Sequence, residues 1–442
     1  MNIFALSTGK GPSGIAIIRI SGSTTLSLCE TLTKLKEIKS NEVNLCKVLD
    51  PDNNLIIDPE ALLLWFPKPN SYTGEDLAEF HIHGSNAVIS CFLKVLSSQK
   101  DCRMAEPGEF TKIAFQNGRI DLIKAESIGD LIHSETELQR VQAVNLVNGY
   151  ASEYYDSLRS KLIKSLSFIE AKIDFAEDDL PKNVLKEVHK SVRAIHNDIK
   201  KIIDDNRIGE KIRDGFRVSI IGETNVGKSS LLNLLSKRDV AIVSDEAGTT
   251  RDVIETYLNI DGYPVILSDT AGIREAKNDI EKKGISLALK KHKDADLNIV
   301  VLDNSANKIS KKVKSLINKD TIVLLNKSDI KNKINHKFNV DTILVSVKKN
   351  KNINKLVQKI KKKLSNKYVS SKSTLVTRER HRIKLNECLK EIEKFLKKDQ
   401  NKNLELAAED LRMATRHLGC IIGKVDVEEI LGSIFNDFCI GK

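Results

Sequence analysis

No stretch of the chain approaches the roughly 18 to 20 consecutive apolar residues that a membrane-spanning helix needs, so a helical membrane protein is not expected. The seven cysteines, at positions 29, 46, 91, 102, 388, 420 and 439, are widely spaced and never form a Cys-x-x-Cys pair. That argues against a zinc site and a disulfide framework, and fits a reducing compartment. Six read as small buried or neutral residues, whereas Cys439 lies close to the C-terminus, where packing explains it least. The opening residues, MNIFALSTGK, have no basic segment followed by an apolar block, so a secretory signal is not expected and the protein is read as cytoplasmic.

What is present suits a folded, multidomain protein. Hydrophobic residues are 40% and charged residues 30% of 442, enough to build ordinary cores in two to four domains. The net charge is +11 and the pI is about 9.1. A polyanion partner such as RNA and a merely lysine-rich surface both account for that excess, and charge alone does not choose between them.

The periodicity changes twice along the chain. Residues 1–118 read as a mixed α/β unit, with strands at Gly14–Gly22, Ala61–Phe66 and Leu77–Ile82. From residue 119 to 212 the pattern is helical, with apolar stripes at Leu158, Leu162, Leu166, Ile169 and Ile173, then at Leu185, Val188, Val192, Ile195, Ile199 and Ile202. Helices return in 369–442, where Leu385, Leu389, Ile392 and Leu396 share a face. Between them, in 213–368, short β-branched runs (217–221, 265–268, 298–302, 321–325 and 342–345) alternate with helical segments, which predicts a mostly parallel, doubly wound sheet. Asp261-Gly262 predicts a hairpin turn. The expected fold is therefore an α/β unit inserted into an all-α bundle, preceded by a second α/β domain.

Gly222–Ser229 reads GETNVGKS, the phosphate-loop pattern G-x-x-x-x-G-K-[ST], placed between the strand RVSII and the helix SSLLNLLSK. Glycines let backbone N–H groups close around phosphates, and the helix N-terminus favours their charge. Lys228 is expected to reach the β/γ-phosphates and Ser229 to ligate magnesium. Asn326, Lys327 and Asp329 (NKSD) follow the strand TIVLL, where a carboxylate accepts the N1–H and amino protons of guanine; adenine lacks that donor pair. Ser346-Val347-Lys348 is a candidate for the remaining base-contacting loop. Asp269-Thr270-Ala271-Gly272 ends a strand, as expected of a magnesium-side and γ-phosphate-side switch. The next residue, Ile273, stands where Ras-like domains carry a water-orienting glutamine, and isoleucine cannot hydrogen-bond. Either the domain hydrolyses GTP poorly, or another group positions the water and neutralises transition-state charge. A second cation held by Asn225 and a loop around Gly248–Asp252 is the economical answer.

The motifs GETNVGKSSLLN, AIVSDEAGTTRD, DTAGIRE and NKSD, with LWFPKPNSYTGEDLAEFHIHG early and IFNDFCIGK late, resemble the MnmE (TrmE) family of tRNA-modification GTPases across the whole chain. The last two lie outside any generic GTPase. The resemblance implies a potassium-dependent GTPase with a Ras-like domain. GTP contacts are implied for Asn225, Val226, Gly227, Lys228, Ser229 and Ser230. They are also implied for Ser244, Asp245, Glu246, Ala247, Gly248, Thr249 and Thr250, for Asp269, Thr270, Ala271 and Gly272, and for Asn326, Lys327 and Asp329. Magnesium would be held by Ser229 and Thr250, potassium by Asn225, Ser244, Glu246 and Thr249, and the attacking water by Glu281. A one-carbon tetrahydrofolate, 5-formyl or 5,10-methylene, would sit on Arg19, Glu79, Arg119 and Lys442, in a first domain that also makes a homodimer. The family pattern commonly has Lys where this chain has Arg119. The implied partners are the flavoprotein MnmG, which carries the FAD, in a heterotetramer, and tRNA, whose wobble uridine receives an aminomethyl or carboxymethylaminomethyl group at C5. Cys439 matches the cysteine of the terminal motif and is a catalytic candidate.

Two other readings are weaker. A ribosome-assembly GTPase would carry an appended RNA-binding module such as KH, and that reading leaves the N-terminal domain and the FCIGK tail unexplained. A dead pocket is disfavoured by the presence of Lys228, Ser229, Thr250 and Asp269. His81 and His83 resemble a metal-binding pair, but no third ligand is evident and no metal is expected there.

Overall fold

The computed structural model describes residues 1–174, 183–237, 255–269, 292–306, 309–330, 338–368, 374–398 and 403–425, with Leu431, Ile434, Phe435, Phe438 and Gly441 of the tail. These divide into two compact units: 1–129 with 152–159 and 418–442, and 130–151 with 160–417.

The first unit is a six-stranded sheet in the order β3-β4-β5-β2-β1-β6. Its strands are β1 (Asn2–Leu6), β2 (Ser13–Ser21), β3 (Val43–Leu49), β4 (Ile56–Phe66), β5 (Leu77–Gly84) and β6 (Cys102–Met104). Only β1–β6 pair in parallel; the other neighbours are antiparallel. Strict alternation gives the sheet two characters. Ile18, Ile20, Leu63, Trp65, Phe80 and Ile82 face one side, where helices α1 (Thr25–Thr33) and α2 (Asn86–Ser98) cover them. Phe80 and Phe92 meet edge to face at 5.1 Å. On the other side Ile3 and Ala5 pack with Phe110 of α3 (Glu109–Gln116) and with Tyr72. The same alternation puts Arg19 and Glu79 on this second face, and the β2–β5 register sets them directly opposite one another. After α4 (Leu122–Ile132) begins, Leu122 and Ala125 receive Phe435 and Phe438 from the tail.

The second unit combines helices with a second sheet, although 152–159 and 418–422 of two of these helices belong to the first unit. Helices α5 (Glu137–Val147), α6 (Tyr150–Asp174), α7 (Val184–Ile203) and α8 (Ile208–Asp214) lead into β7 (Phe216–Gly222) and α9 (Lys228–Ser236). There follow β8 (Glu255–Ile260), β9 (Tyr263–Asp269), β10 (Leu297–Asp303), α10 (Lys311–Ser315), β11 (Thr321–Asn326), β12 (Asp341–Leu344) and α11 (Ile353–Tyr368). The chain then returns to helix in α12 (Glu379–Lys397) and α13 (Leu404–Ile422). The sheet order is β12-β11-β10-β7-β9-β8, parallel except for the β8–β9 hairpin. Its central strands are buried on both faces, which is why they read as continuous apolar runs. Val218, Ile220, Ile299 and Leu324 pack with Leu231 of α9 and Leu356 and Ile360 of α11, while Val300, Val323 and Leu325 pack with Val313 of α10. The hairpin turns at Asp261 (φ 53°) and Gly262 (φ 92°), both left-handed as a two-residue I′ turn requires.

Where the helical part gives way to the sheet, an ionic cluster gathers residues far apart in sequence. Arg382, 8% exposed, donates to Asp205 at 2.8 Å, to Glu210 at 2.9 Å and to the Ile203 carbonyl at 2.6 Å. Arg207 pairs with Glu210 and Glu379. Asp130 accepts from Arg213 at 3.0 Å and Arg378 at 2.7 Å. Gly209 lies so close to this return path that a Cβ there would be 2.1 Å from the Val376 carbonyl oxygen. The N-terminus of α5 meets the hairpin tip, with Leu138 N–H donating to Gly262 O at 3.2 Å and Asn259 Nδ2 to Glu135 O at 3.3 Å.

Candidate functional site

The loop after β7 sits at the carboxyl end of the strand flanked by β9 and β10, the position where strand order reverses and α/β folds bind ligands. Two left-handed residues shape it, Asn225 (φ 60°) and Gly227 (φ 100°). Gly227 admits no side chain, because a Cβ would stand 2.4 Å from Asn326 Nδ2. Lys228 is 7% exposed, and its ammonium donates to the carbonyls of Gly222 (3.2 Å) and Glu223 (2.7 Å). A buried ammonium must have such partners. They hold it inside the loop, where phosphate oxygens would take over its donors. Ser229 and Ser230 are exposed in the first turn of α9, at the positive end of the helix dipole, and Val226 is buried beneath the loop.

Asn326 does more than the sequence suggested. Its Nδ2 donates to Val226 O at 2.7 Å and its Oδ1 accepts from Val347 N–H at 3.0 Å. One buried amide therefore ties the phosphate loop to the 346–351 loop. Lys327, left-handed at φ 63°, is anchored by Asp303 at 2.6 Å. Burial pushes the Asp303 carboxyl up, but Lys327 and Ser305 outweigh it and hold the group below its ordinary range. Asp329 is exposed, and its Oδ1 accepts from the buried Ser346 hydroxyl at 2.5 Å. That hydrogen bond, reinforced by Lys348 and Lys349, lowers the carboxyl from its ordinary value and favours its ionised form. An oriented carboxylate of this kind is what guanine's two adjacent donors need. Asp303 and Ser346 thus join the site as supports. Ser346 was visible in the Ser-Val-Lys run, whereas Asp303 had no signal beyond ending a strand.

Asp269 closes β9 opposite Ile220 in register, so its backbone reaches the same end of the sheet as the phosphate loop. Ser244, Asp245, Glu246, Ala247, Gly248, Thr249, Thr250, Thr270, Ala271, Gly272 and Glu281 lie outside the described residues, as do Cys439 and Lys442.

The first unit carries a separate polar corner. Arg19 donates to Glu79 Oε1 through Nη2 (2.7 Å) and Nε (3.0 Å), and its guanidinium lies 5.1 Å from the Tyr72 ring centre and 5.6 Å from that of Phe110. The tail arrives here. The Gly441 carbonyl accepts from Ser7 Oγ at 2.9 Å and from Arg19 Nη1 at 3.5 Å. A Cβ on Gly441 (φ 98°) would stand 2.3 Å from Leu6 O, so this close approach requires glycine. Arg119 is exposed, its side chain stacked on Gly74. Charge beside aromatic faces suits a ligand with a flat ring and polar edges. His83 is oriented through Nδ1 by the buried Asp58 at 3.0 Å, and His81 Nε2 lies 3.7 Å from Glu79. Among the described residues no three His, Cys, Asp or Glu side chains could hold a metal. None of the described helices is long and apolar enough to cross a membrane.

A phosphate loop at a switch point, with an oriented carboxylate suited to guanine's two donors, defines a GTPase of the phosphate-loop class. Residues 2–119 match the family described as GTP-binding protein TrmE N-terminus, and 122–439 that described as MnmE helical domain. The chain is 55% identical over 444 residues to the tRNA modification GTPase MnmE of Pelagibacter ubique, covering 100% of both chains. It is 42% identical over 449 residues to that of Rickettsia bellii, covering 100% of this chain and 99% of the relative. A crystal structure of Aquifex aeolicus Era bound to GDP.AlF4 shares 28% identity at a TM-score of 0.27, over 33% of this chain and 56% of that one. The chain belongs to the MnmE family of tRNA modification GTPases: it is a GTP hydrolase that acts in tRNA modification.

Proposed function

We propose that this GTPase is potassium-activated, works in the cytoplasm as a homodimer joined to the flavoprotein MnmG in a heterotetramer, and helps install an aminomethyl or carboxymethylaminomethyl group at C5 of the wobble uridine, U34, in certain tRNAs. The observation that supports the second half most directly is the Arg19–Glu79 corner with the tail's Gly441 carbonyl upon it. GTP hydrolysis has no use for such a site, so it belongs to a second ligand. A one-carbon tetrahydrofolate, 5-formyl or 5,10-methylene, fits the paired charges beside Tyr72 and Phe110. Arg19 and Glu79 would bind it, with Arg119 and Lys442 adding charge. When bound, it supplies the one-carbon unit. The segments 1–118, 119–212, 213–368 and 369–442 would serve respectively as folate and dimer domain, helical part, GTPase domain and helical return with its tail.

In the nucleotide site Lys228 exchanges the carbonyls of Gly222 and Glu223 for β/γ-phosphate oxygens, and Asp329 holds the guanine edge. Ser229 and Thr250 would hold magnesium, and Glu281 would orient the attacking water. Asn225 presents a neutral amide at the exposed crest of the phosphate loop, which fits a potassium ligand alongside Ser244, Glu246 and Thr249. The two cations would offset charge that develops on the phosphates.

The cation assignment predicts turnover at least about tenfold faster in potassium than in sodium, because the smaller ion fits a rigid oxygen cage poorly. Asn225→Ala should abolish the difference while leaving nucleotide affinity nearly intact. Equal wild-type rates in the two salts would remove potassium from the mechanism. For the wider reading, wobble uridines from cells lacking this protein should lose their C5 substituents by mass spectrometry; unchanged substituents would leave only the GTPase. Returning Cys439→Ser to those cells should restore normal GTP hydrolysis with depleted modification, since nothing in the nucleotide site requires a thiol. Full modification by that variant would show that the thiol is dispensable.

A further inference from the structure

The positive charge of this chain is not spread evenly. Residues 309–368 contain seventeen lysines, three aspartates and no arginine or glutamate, while the other 382 residues carry 54 basic side chains against 57 acidic. A lysine-rich composition would load the whole surface. Here one segment holds all of the excess, and the fold puts much of it in one place. In α11, Ile353, Leu356, Ile360 and Leu364 face the core, and no acidic residue occurs in the helix. Lys355 and Lys362 are exposed one heptad apart on its outer face.

Beneath the last turns of α11 is a cleft of about 480 Å³, lined by Lys319, Lys362 and the carboxylates of Asp296, Asp320 and Asp341 among others. Each of these carboxylates is already answered. Lys211 pairs with Asp296 at 2.9 Å, Lys367 with Asp320 at 3.1 Å and Lys359 with Asp341 at 2.6 Å. Lys363 donates to the Lys319 carbonyl at 2.7 Å and so fixes the loop that carries Lys319 against the helix. The acid is neutralised in place, and the exposed ammonium groups of Lys319, Lys355 and Lys362 are the uncompensated surplus. This face lies at the amino ends of β10, β11 and β12. The phosphate loop is at the opposite, carboxyl end of the same parallel sheet. A ligand here leaves the nucleotide site open.

We propose that the outer face of α11, with Lys319 and the cleft below, docks the phosphate backbone of the tRNA on which the enzyme acts. Lysines suit this task. They are mobile point charges that neutralise phosphates without reading sequence, so the surface captures the RNA while the modification chemistry selects its base elsewhere. The inference rests on tRNA being the substrate.

The test titrates full-length protein with tRNA at several sodium chloride concentrations, potassium and nucleotide being held constant. Lys319→Gln, Lys355→Gln and Lys362→Gln combined should weaken binding by roughly tenfold at moderate salt. They should also lower the slope of log affinity against log salt by about two to three, because each lysine neutralises one phosphate. GTP turnover without tRNA should be unchanged, which shows the variant is folded, and Lys362→Glu alone should weaken binding more than Lys362→Gln. Wild-type affinity and slope in the triple variant would overturn the docking site, as would a defect confined to binding of an acidic protein partner. A wild type that binds no tRNA at any salt would overturn the substrate reading as well.

Discussion

Replacing Asp329 by asparagine should lower GTP affinity by at least about a hundredfold and make xanthosine triphosphate the preferred nucleotide. The structure says why so small a change does so much. Ser346, fully buried, donates to one carboxylate oxygen and orients the group, and the neighbouring lysines hold it ionised. An amide keeps the Ser346 hydrogen bond through its oxygen and turns an NH₂ toward the base. That NH₂ opposes guanine's own donors and leaves them unsatisfied, but it can donate to the 2-oxo group of xanthine. Binding of both nucleotides should be measured, since turnover alone would confound affinity with chemistry. A variant still preferring GTP would place the base reader somewhere other than NKSD. Ser346→Ala should reproduce part of the loss without the switch, because it frees the carboxylate but leaves its charge.

The second large effect is on stability. Arg382→Met keeps the apolar stem but removes a guanidinium that serves Asp205, Glu210 and the Ile203 carbonyl together. Removing one partner of a buried ion cluster leaves the others desolvated and uncompensated, at a cost of about 3 to 5 kcal/mol. The urea midpoint of the helical signal should fall accordingly, and a change below about 1 kcal/mol would show that the cluster is effectively solvated. The effect depends on pH in a definite sense. Burial pushes the Glu210 carboxyl up, but Arg382 and Arg207 outweigh that and leave it below its ordinary value. A depressed carboxyl contributes stability that is complete above the unfolded value of about 4.3 and is lost as the pH falls through the folded one. The gap between wild type and variant should therefore be widest near neutrality and shrink in acid.

Much of this architecture was legible in the sequence because it obeys short-range rules. The strands of the parallel sheet announced themselves as β-branched runs between helical stretches, and Asp261-Gly262 named its own turn. The phosphate loop, the NKSD run and the strand–helix context around Lys228 were equally local. Three strands of the first sheet were not seen. β6 is too short, β1 is five residues, and the edge strand β3 mixes Asn44 and Lys47 into its alternation. Along α12 the buried face runs through His381, Arg382, Cys388 and Phe395 beside Leu385 and Ile392, while Leu389 and Leu396 only flank it. An apolar count places a stripe approximately, and a buried ion pair shifts it. What no local rule could supply is the ionic cluster itself. Arg382 and Glu210 are 172 positions apart, and Arg378 and Asp130 are 248 apart. The brace that Asn326 makes between two loops was hidden likewise, since nothing in one dimension sets it apart from an asparagine kept for a ligand.

The close approach of Gly209 to the Val376 carbonyl bears on how such a chain could have been assembled. The polypeptide leaves the helical part and returns to it at almost the same point. Everything between is, to the helices, a closed loop. Each doubling of a flexible loop's length costs only about 0.6 kcal/mol of closure entropy, and a folded insert that holds its own two ends together removes even that. Viewed from the helices, a whole nucleotide-binding sheet is then hardly more disruptive than a long turn. Glycine at 209 is what keeps that doorway narrow, so a wider residue there would strain the seam between old scaffold and guest while leaving the interior of each intact.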